Sequence, residues 1–400
     1  AFTVEQGDLT LRFLKNQRYI THTLPFHKDN AGNATRALAQ LKECRLLAEQ
    51  LPSDPFCPVL KPINQPSYKE EHPACLPEPE QWTEQLLPLF RDNLADCVGL
   101  LTSGKVIRAT YDSRGQHRWF TRNSFDMNFS FYTPNQKAVK FLHTGQTWDP
   151  PKVKRELDSL CQQLVVLDHH PYEIQPGKYR TYFAPQAVAD LISMFSWYGL
   201  GAAAYQQGKS AFRLLAEGHH LSSKVDLAED FSLGLSPRFN SLGEISPPDV
   251  NLIEAGYLKN WLTSTRTAQE YGMTSHYAEE NEGLRSARLG PGTLPQDKIL
   301  EALGTGLYIN NVHYLNWSDM NTGRLTGMTR YACFWVENGK IKAPIQDLRF
   351  DESLYHFLGA GLVDLTDTTH IIAETSTYEQ RSLGGACVPG ILVNDFNYTL

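Results

Sequence analysis

Three groupings of histidine and seven scattered cysteines are the first places to look for chemistry in this sequence. His169-His170 and His219-His220 are adjacent pairs, and His22 and His27 flank Pro25. Neighbouring residues face opposite sides of a strand and diverge by about a hundred degrees on a helix, so adjacent histidines seldom share one ion. They read as loop histidines, with ligand binding as the minority reading. Among the cysteines (Cys44, Cys57, Cys75, Cys97, Cys161, Cys333, Cys387) there is no C-x-x-C. Cys387 could be a nucleophile only if something lowered its pKa; an inert buried thiol is the commoner outcome. No H-E-x-x-H, phosphate-binding loop, G-x-G-x-x-G or G-x-S-x-G occurs in the chain. The aromatic run Phe125 to Tyr132 could stack bases, but with so few charges around it a sheet face explains it better.

The bulk properties narrow the field further. The 400 residues carry a formal charge of -7, with 41% hydrophobic and 20% charged residues. That is an ordinary globular composition, long enough for two domains, and its acidity argues against an electrostatic nucleic-acid surface. An odd number of scattered cysteines fits free thiols in a reducing compartment. No apolar run is long enough to cross a bilayer and no signal peptide is read at Ala1, so the expectation is a cytoplasmic protein without membrane contact.

The local patterns suggest which elements would position any site. Leu9–Phe13 and Arg18–His22 alternate around a turn at Lys15-Asn16-Gln17, and a helix follows over Asn30–Gln50, with Ala34, Leu38, Leu41, Leu46 and Leu47 near helical spacing. The proline-rich stretch Leu51–Pro79 reads as an extended surface connection. A helix over Glu80–Asp96 should kink at Pro88. Four strands are expected next (Val98–Leu101, Val106–Tyr111, His117–Thr121, Phe125–Tyr132), with Ser103-Gly104 as one of the turns. A helix over Pro150–Leu167 then closes an α+β domain, 1–172. From 173 to 400 the pattern is mainly β and barrel-like, with few helices. It has a loop-rich tract over Ala211–Val250, a glycine turn within Leu252–Leu258, a helix over Thr263–Tyr271 and a second over Leu294–Leu303. Its strands run over Gly306–Leu315, Arg330–Val336, Lys340–Ile345 and Ile391–Asn397, with a hairpin at Asn338-Gly339.

The centre of this second domain is Pro176–Ser210. After a short strand, Pro185 suits the first turn of a helix expected over Gln186–Tyr198, nearly uncharged apart from Asp190 and therefore buried. Gly199 and Gly201 would loosen its end.

Several blocks in this half resemble the TldD/TldE (PmbA) family of peptidase proteins, and its TldE/PmbA branch in particular. They are Pro176-Gly177-Lys178-Tyr179 with Ala184-Pro185, Ile253–Leu258, Thr267-Ala268 with Tyr271-Gly272, Gly306–Ile309, Asn321-Thr322-Gly323, Phe334–Ile341 with Pro344, and Pro389–Val393. Order and rough spacing are kept from Pro176 to the C-terminus, while 1–172 matches only in its hairpin-helix-meander plan. In that family the TldD subunit carries zinc on a His-Glu-x-x-x-His motif in the helix that here follows Pro185. Laid on this sequence, the motif falls on Ser193, Met194 and Tyr198, and Tyr198-Gly199-Leu200-Gly201 resembles the segment that follows it. Two neutral hydroxyls and a thioether cannot replace two imidazoles and a general base.

The resemblance therefore implies a subunit with no catalytic residues and no metal of its own, zinc being expected in a TldD-like partner. Together the two would enclose a chamber for unfolded peptides, with Tyr198, Gly199 and Gly201 in its lining. Alone, the chain could form a homodimer. For Ser193, Met194 and Tyr198 the plainer alternative is packing of a buried helix, above all for Met194. Two other functions stay open: a modulator of DNA gyrase acting through protein binding, and a hydrolase with a site of its own, for instance at Cys387.

Overall fold

The protein is described by a computed structural model covering residues 3–58, 65–91 and 96–400. It opens with the hairpin Asp8–Lys15/Arg18–Pro25, whose two-residue turn places Asn16 and Gln17 at positive φ (51° and 57°). The helix Asn30–Ala48 lies on this hairpin, but the expected leucine stripe does not bury. Asn33, Cys44 and Ala48 are its buried residues, while Leu38, Leu46 and Leu47 stand exposed. An apolar pattern reports a covered face only if something in the same chain covers it.

The following sheet is built on one long strand, His117–Tyr132. Asp96–Tyr111 pairs along its whole length in unbroken antiparallel register, from Asp96 opposite Tyr132 to Tyr111 opposite His117. The turn expected at Ser103-Gly104 is therefore not formed. Gly104 sits inside the strand opposite Ser124, its positive φ of 138° absorbed without reversing the chain. The other edge is shared in succession by Ser67–His72, parallel, and Ala138–Gly145, antiparallel. Part of the proline-rich connection is thus a sheet strand. Its Pro62 and the expected helix residues 92–95 lie outside the described residues.

The helix Gln81–Arg91 continues through Pro88, which is on its exposed face. Pro150–Leu167 begins at Asp149, whose side chain accepts the Lys152 N–H, and packs Val153, Leu157 and Leu160 onto Phe125, Met127 and Phe131. Ala332 and Phe334 from the second half complete this core.

Beyond residue 173 five strands close into a barrel. Gly177–Phe183 pairs with Gly306–Asp319 and with Ile391–Tyr398. Ile391–Tyr398 pairs with Arg349–Ser353, which pairs with Arg324–Glu337, and that strand returns to Gly306–Asp319. Closure leaves no free edge among the five, and bulges at Tyr314, Tyr331 and Asp395 (φ 51°, 61° and 53°) turn its corners.

A separate six-stranded sheet runs Tyr257–Leu258, Asp249–Glu254, Leu227–Asp230, Ser286–Leu289, Gly385–Val388, His370–Ala373. Leu227–Asp230 is a strand inside the tract read as loop-rich. The fold is α+β, mainly β and barrel-containing in its second half. The helix Pro185–Ser193 is wedged between barrel strand Gly306–Asp319 and the strands Gly385–Val388 and His370–Ala373 of the other sheet.

Candidate functional site

That wedged helix is shorter than its sequence suggests. Pro185 occupies its first turn, and Ala187, Val188, Leu191 and Ile192 are buried. It ends at Ser193 rather than Tyr198. Met194–Ser196 tighten into a 3₁₀ turn, Trp197 is extended, and Tyr198 takes a left-handed conformation with φ 53°. The break follows from local packing. Phe195 is fully buried edge-on against Phe212 (4.7 Å between ring centroids), and Leu200 N–H bonds back to the Phe195 carbonyl at 3.0 Å. Gly199 crosses that carbonyl so closely that a Cβ would lie 2.2 Å from the oxygen, so the fold-back requires glycine.

The residues singled out in the sequence consequently occupy different settings. Ser193 is exposed, its hydroxyl donating to the Asp190 carbonyl at 2.6 Å. Met194 is buried in the main core. Tyr198 is 41% exposed with its ring beside Trp197, itself 49% exposed. Gly199 and Gly201 are both buried. At Gly201 a Cβ would lie 3.1 Å from that of Glu282, a buried carboxylate that accepts the Ala203 N–H (2.6 Å) and the Ser264 N–H (2.8 Å).

As a zinc site the three motif positions do not fit. The serine hydroxyl is spent on the backbone, the thioether is packed in apolar core, and the tyrosine follows the helix break. No three of the described His, Cys, Asp and Glu residues come together as ligands. His169, His170, His219 and His220 are all exposed; the Nδ1 atoms of His170 and His220 lie 3.0 and 2.9 Å from the carbonyls of Pro171 and Leu221. All seven cysteines are free, and Cys387 is a buried residue on the strand against the helix.

Sequence reasoning passed over Asp190. It noted the residue only as the one charge in an apolar helix, which was the available signal. The structure buries this carboxyl between Gln186, whose Nε2 donates at 3.2 Å, and the backbone N–H of Val312 on the barrel strand. Burial pushes its pKa up to about 7, the two hydrogen bonds oppose the rise, and Glu374 adds to it. Gln186 Oε1 is buried without a partner. Around the helix end, Trp317 Nε1 donates to the Trp197 carbonyl at 2.6 Å and Leu284 N–H to Ser196 Oγ at 3.0 Å. The helix end is therefore a glycine-dependent turn that displays two aromatic rings, and the carboxyl whose pKa burial raises sits earlier in the same helix. Among the described residues, Ser193, Met194 and Tyr198 form no nucleophile–base pair with one another.

Comparison with known proteins agrees with this architecture. Residues 176–399 match the family described as the PmbA/TldA metallopeptidase C-terminal domain. The chain belongs to the PmbA/TldD family. A relative from Haemophilus influenzae, named a metalloprotease PmbA homolog, is 26% identical over 240 residues, which are 54% of this chain and 50% of that protein. The chain thus spans about half the length of the curated relative it matches.

Among solved structures, TldE from Thermococcus kodakarensis shares the fold with a TM-score of 0.73 at 14% identity, over 98% of this chain and 89% of that one. A protein from Bacteroides thetaiotaomicron, described as a candidate modulator of DNA gyrase, superimposes with a TM-score of 0.78 at 14% identity, covering 98% and 88%. One from Thermotoga maritima, described in the same way, gives 0.74 at 15% identity, covering 98% and 89%. At these identities the structural likeness speaks for the fold alone. No described helix is long and apolar enough to cross a membrane.

Proposed function

We propose that this chain is the non-catalytic subunit of a TldD/TldE-type peptidase pair in the cytoplasm. In this reading it forms half of a chamber in which a TldD-like partner holds the zinc and cleaves unfolded peptides. The observation that carries it is the set of side chains where the family's zinc motif falls. Ser193, Met194 and Tyr198 are a bonded hydroxyl, a buried thioether and an exposed ring beyond a helix break. A member of a metallopeptidase family with that constellation is best explained by a partner supplying the metal.

Exposed apolar groups support a partner surface as well. Leu38, Leu46 and Leu47 line one helix, and Val98 and Leu100 lie on the edge strand Asp96–Tyr111. Residues 1–172 would act as one domain and 173–400 as the other, the barrel side carrying the peptide track. Tyr198 and Trp197 would line the chamber, with Gly199 and Gly201 shaping the turn behind them.

The test is to purify the chain alone and measure bound zinc and peptidase activity, then add a TldD-like subunit. Neither zinc nor turnover alone, with both appearing in a stable heterodimer, is expected. Stoichiometric zinc with turnover by the isolated chain refutes the reading, and activity that survives chelators but is lost on Cys387→Ala points to an independent hydrolase. The description of two fold neighbours as gyrase modulators favours one rival. Capture of gyrase rather than a TldD-like protein from lysate would support it.

A further inference from the structure

Among the described residues, Lys140 and Arg330 share one aromatic ring with no ion pair to either. Tyr331 sits at a bulge of barrel strand Arg324–Glu337, with φ at 61°. The bulge turns its ring so that the Arg330 guanidinium carbon lies 4.8 Å from the ring centroid and Lys140 Nζ lies 5.8 Å from it. Lys140 comes from the other half of the chain, from strand Ala138–Gly145. Burial pushes its pKa down, and the neighbouring Arg330 pushes it further. Among the described residues neither cation forms an ion pair or a side-chain hydrogen bond.

Two like charges on one ring repel, a cost that solvent screens at exposed Arg330 and less at half-buried Lys140, and that a cation–π contact recovers in part. Strain at Tyr331 adds to that cost, and such strain clusters where a fold binds something. Burial and then Arg330 push down the pKa of His313 on the facing strand, Met328 and Asp347 opposing them, and its buried Nδ1 has no partner. The cluster borders the site already described. Arg330 pairs across the ladder with Asn311, next to Val312, whose N–H meets the Asp190 carboxyl.

We propose that Lys140 and Arg330, spaced by Tyr331, form a subsite for a carboxylate of an extended peptide. A guanidinium fork and a point-charge ammonium on one ring each suit a carboxylate oxygen, and a bound carboxylate would relieve the repulsion between them. Its description as a peptide subsite rests on the function proposed above; the anion site itself stands on the geometry.

The experiment measures binding to the purified chain by fluorescence anisotropy at low salt. Three versions of one labelled, unstructured decapeptide are compared. The first has a free C-terminus, the second a C-terminal amide, and the third an amide with one internal glutamate. The wild-type protein should bind the amide about tenfold more weakly than the free acid, and the Lys140→Gln/Arg330→Gln double variant should bind the two alike.

Recovery of affinity by the glutamate peptide would assign the site to side-chain carboxylates, and no recovery to the chain end; both support the subsite. Arg330→Lys should restore part of the preference. An unchanged melting temperature in the double variant shows that a lost preference is not lost folding. Equal binding of acid and amide by wild type overturns the proposal, as does a preference that survives in the double variant. So does a site that takes inorganic phosphate but shows no preference for a peptide carboxylate. If the carboxylate preference is present but no TldD-like complex cleaves the peptide, the peptidase reading fails while the subsite stands.

Discussion

Replacing Asp190 by asparagine should stabilise this protein at pH 8 and change little at pH 4. Burial raises the Asp190 carboxyl from an ordinary aspartate's 3.8 to about 7. The folded chain then holds a proton between those values that the unfolded chain has released, so wild-type stability is lost as pH rises through that window. Below about pH 4 both states are protonated and the penalty vanishes; above about pH 7 it is complete and constant. At 1.36 kcal/mol per pH unit the full penalty is up to about 4 kcal/mol, and water reaching the partly buried group brings it to roughly 2–4 kcal/mol.

Asparagine keeps an acceptor for Gln186 Nε2 and Val312 N–H, and its amide can turn a donor toward the orphaned Gln186 Oε1. A chain of this size has an unfolding entropy of roughly 0.8 kcal/mol/K, so the gain corresponds to about 2–5 °C in Tm. The assay is differential scanning calorimetry of both proteins at pH 4, 6 and 8. The comparison must be between variants, because Glu229, whose pKa burial also raises to about 7, tilts the wild-type profile in the same sense. A Tm difference that is the same at all three pH values, or a variant that melts lower at pH 8, refutes the reasoning.

Three further outcomes are expected. Gly199→Ala should cost about 2–4 kcal/mol, seen as a lower Tm at every pH, because its Cβ would press on the Phe195 carbonyl. Tyr198→Gly should relieve the left-handed strain and raise stability by about 1 kcal/mol, whereas both it and Tyr198→Ala should slow peptide cleavage in a heterodimer without preventing assembly. Unchanged cleavage would remove Tyr198 from the lining. Arg381→Ala should cost about 3 kcal/mol and loosen the segment 374–384, since Arg381 pairs with the buried Asp126 at 2.5 Å and also donates to the carbonyls of Gly104 and Ser124. Hydrogen exchange confined to that segment would register the change, and unaltered protection there would count against it.

Much of the secondary structure was legible because its signals are local. Asn338-Gly339 adopts the left-handed pair that a two-residue hairpin needs (φ 51° and 71°), and the helix Pro150–Leu167 follows from the proline at its start and its apolar stripe, to which the structure adds the Asp149 cap. Where reading failed, a partner distant in sequence decided. Ser103-Gly104 looks like a turn, yet the matched length of His117–Tyr132 makes it the middle of a strand. Leu38, Leu46 and Leu47 of Asn30–Ala48 fit a helical period, but nothing among the described residues covers them.

The candidate site divides in the same way. Residue types alone put no imidazole or carboxylate at positions 193, 194 and 198, because donor chemistry belongs to the side chain wherever it is placed. Only the tertiary structure decided that the helix stops at Ser193 and that Asp190 holds a proton near neutrality. The same holds for Lys140, which shares one tyrosine ring with Arg330 although 190 positions separate the two. Helix ends, desolvation and long-range charge pairs depend on what packs from elsewhere in the chain, and no local pattern encodes that.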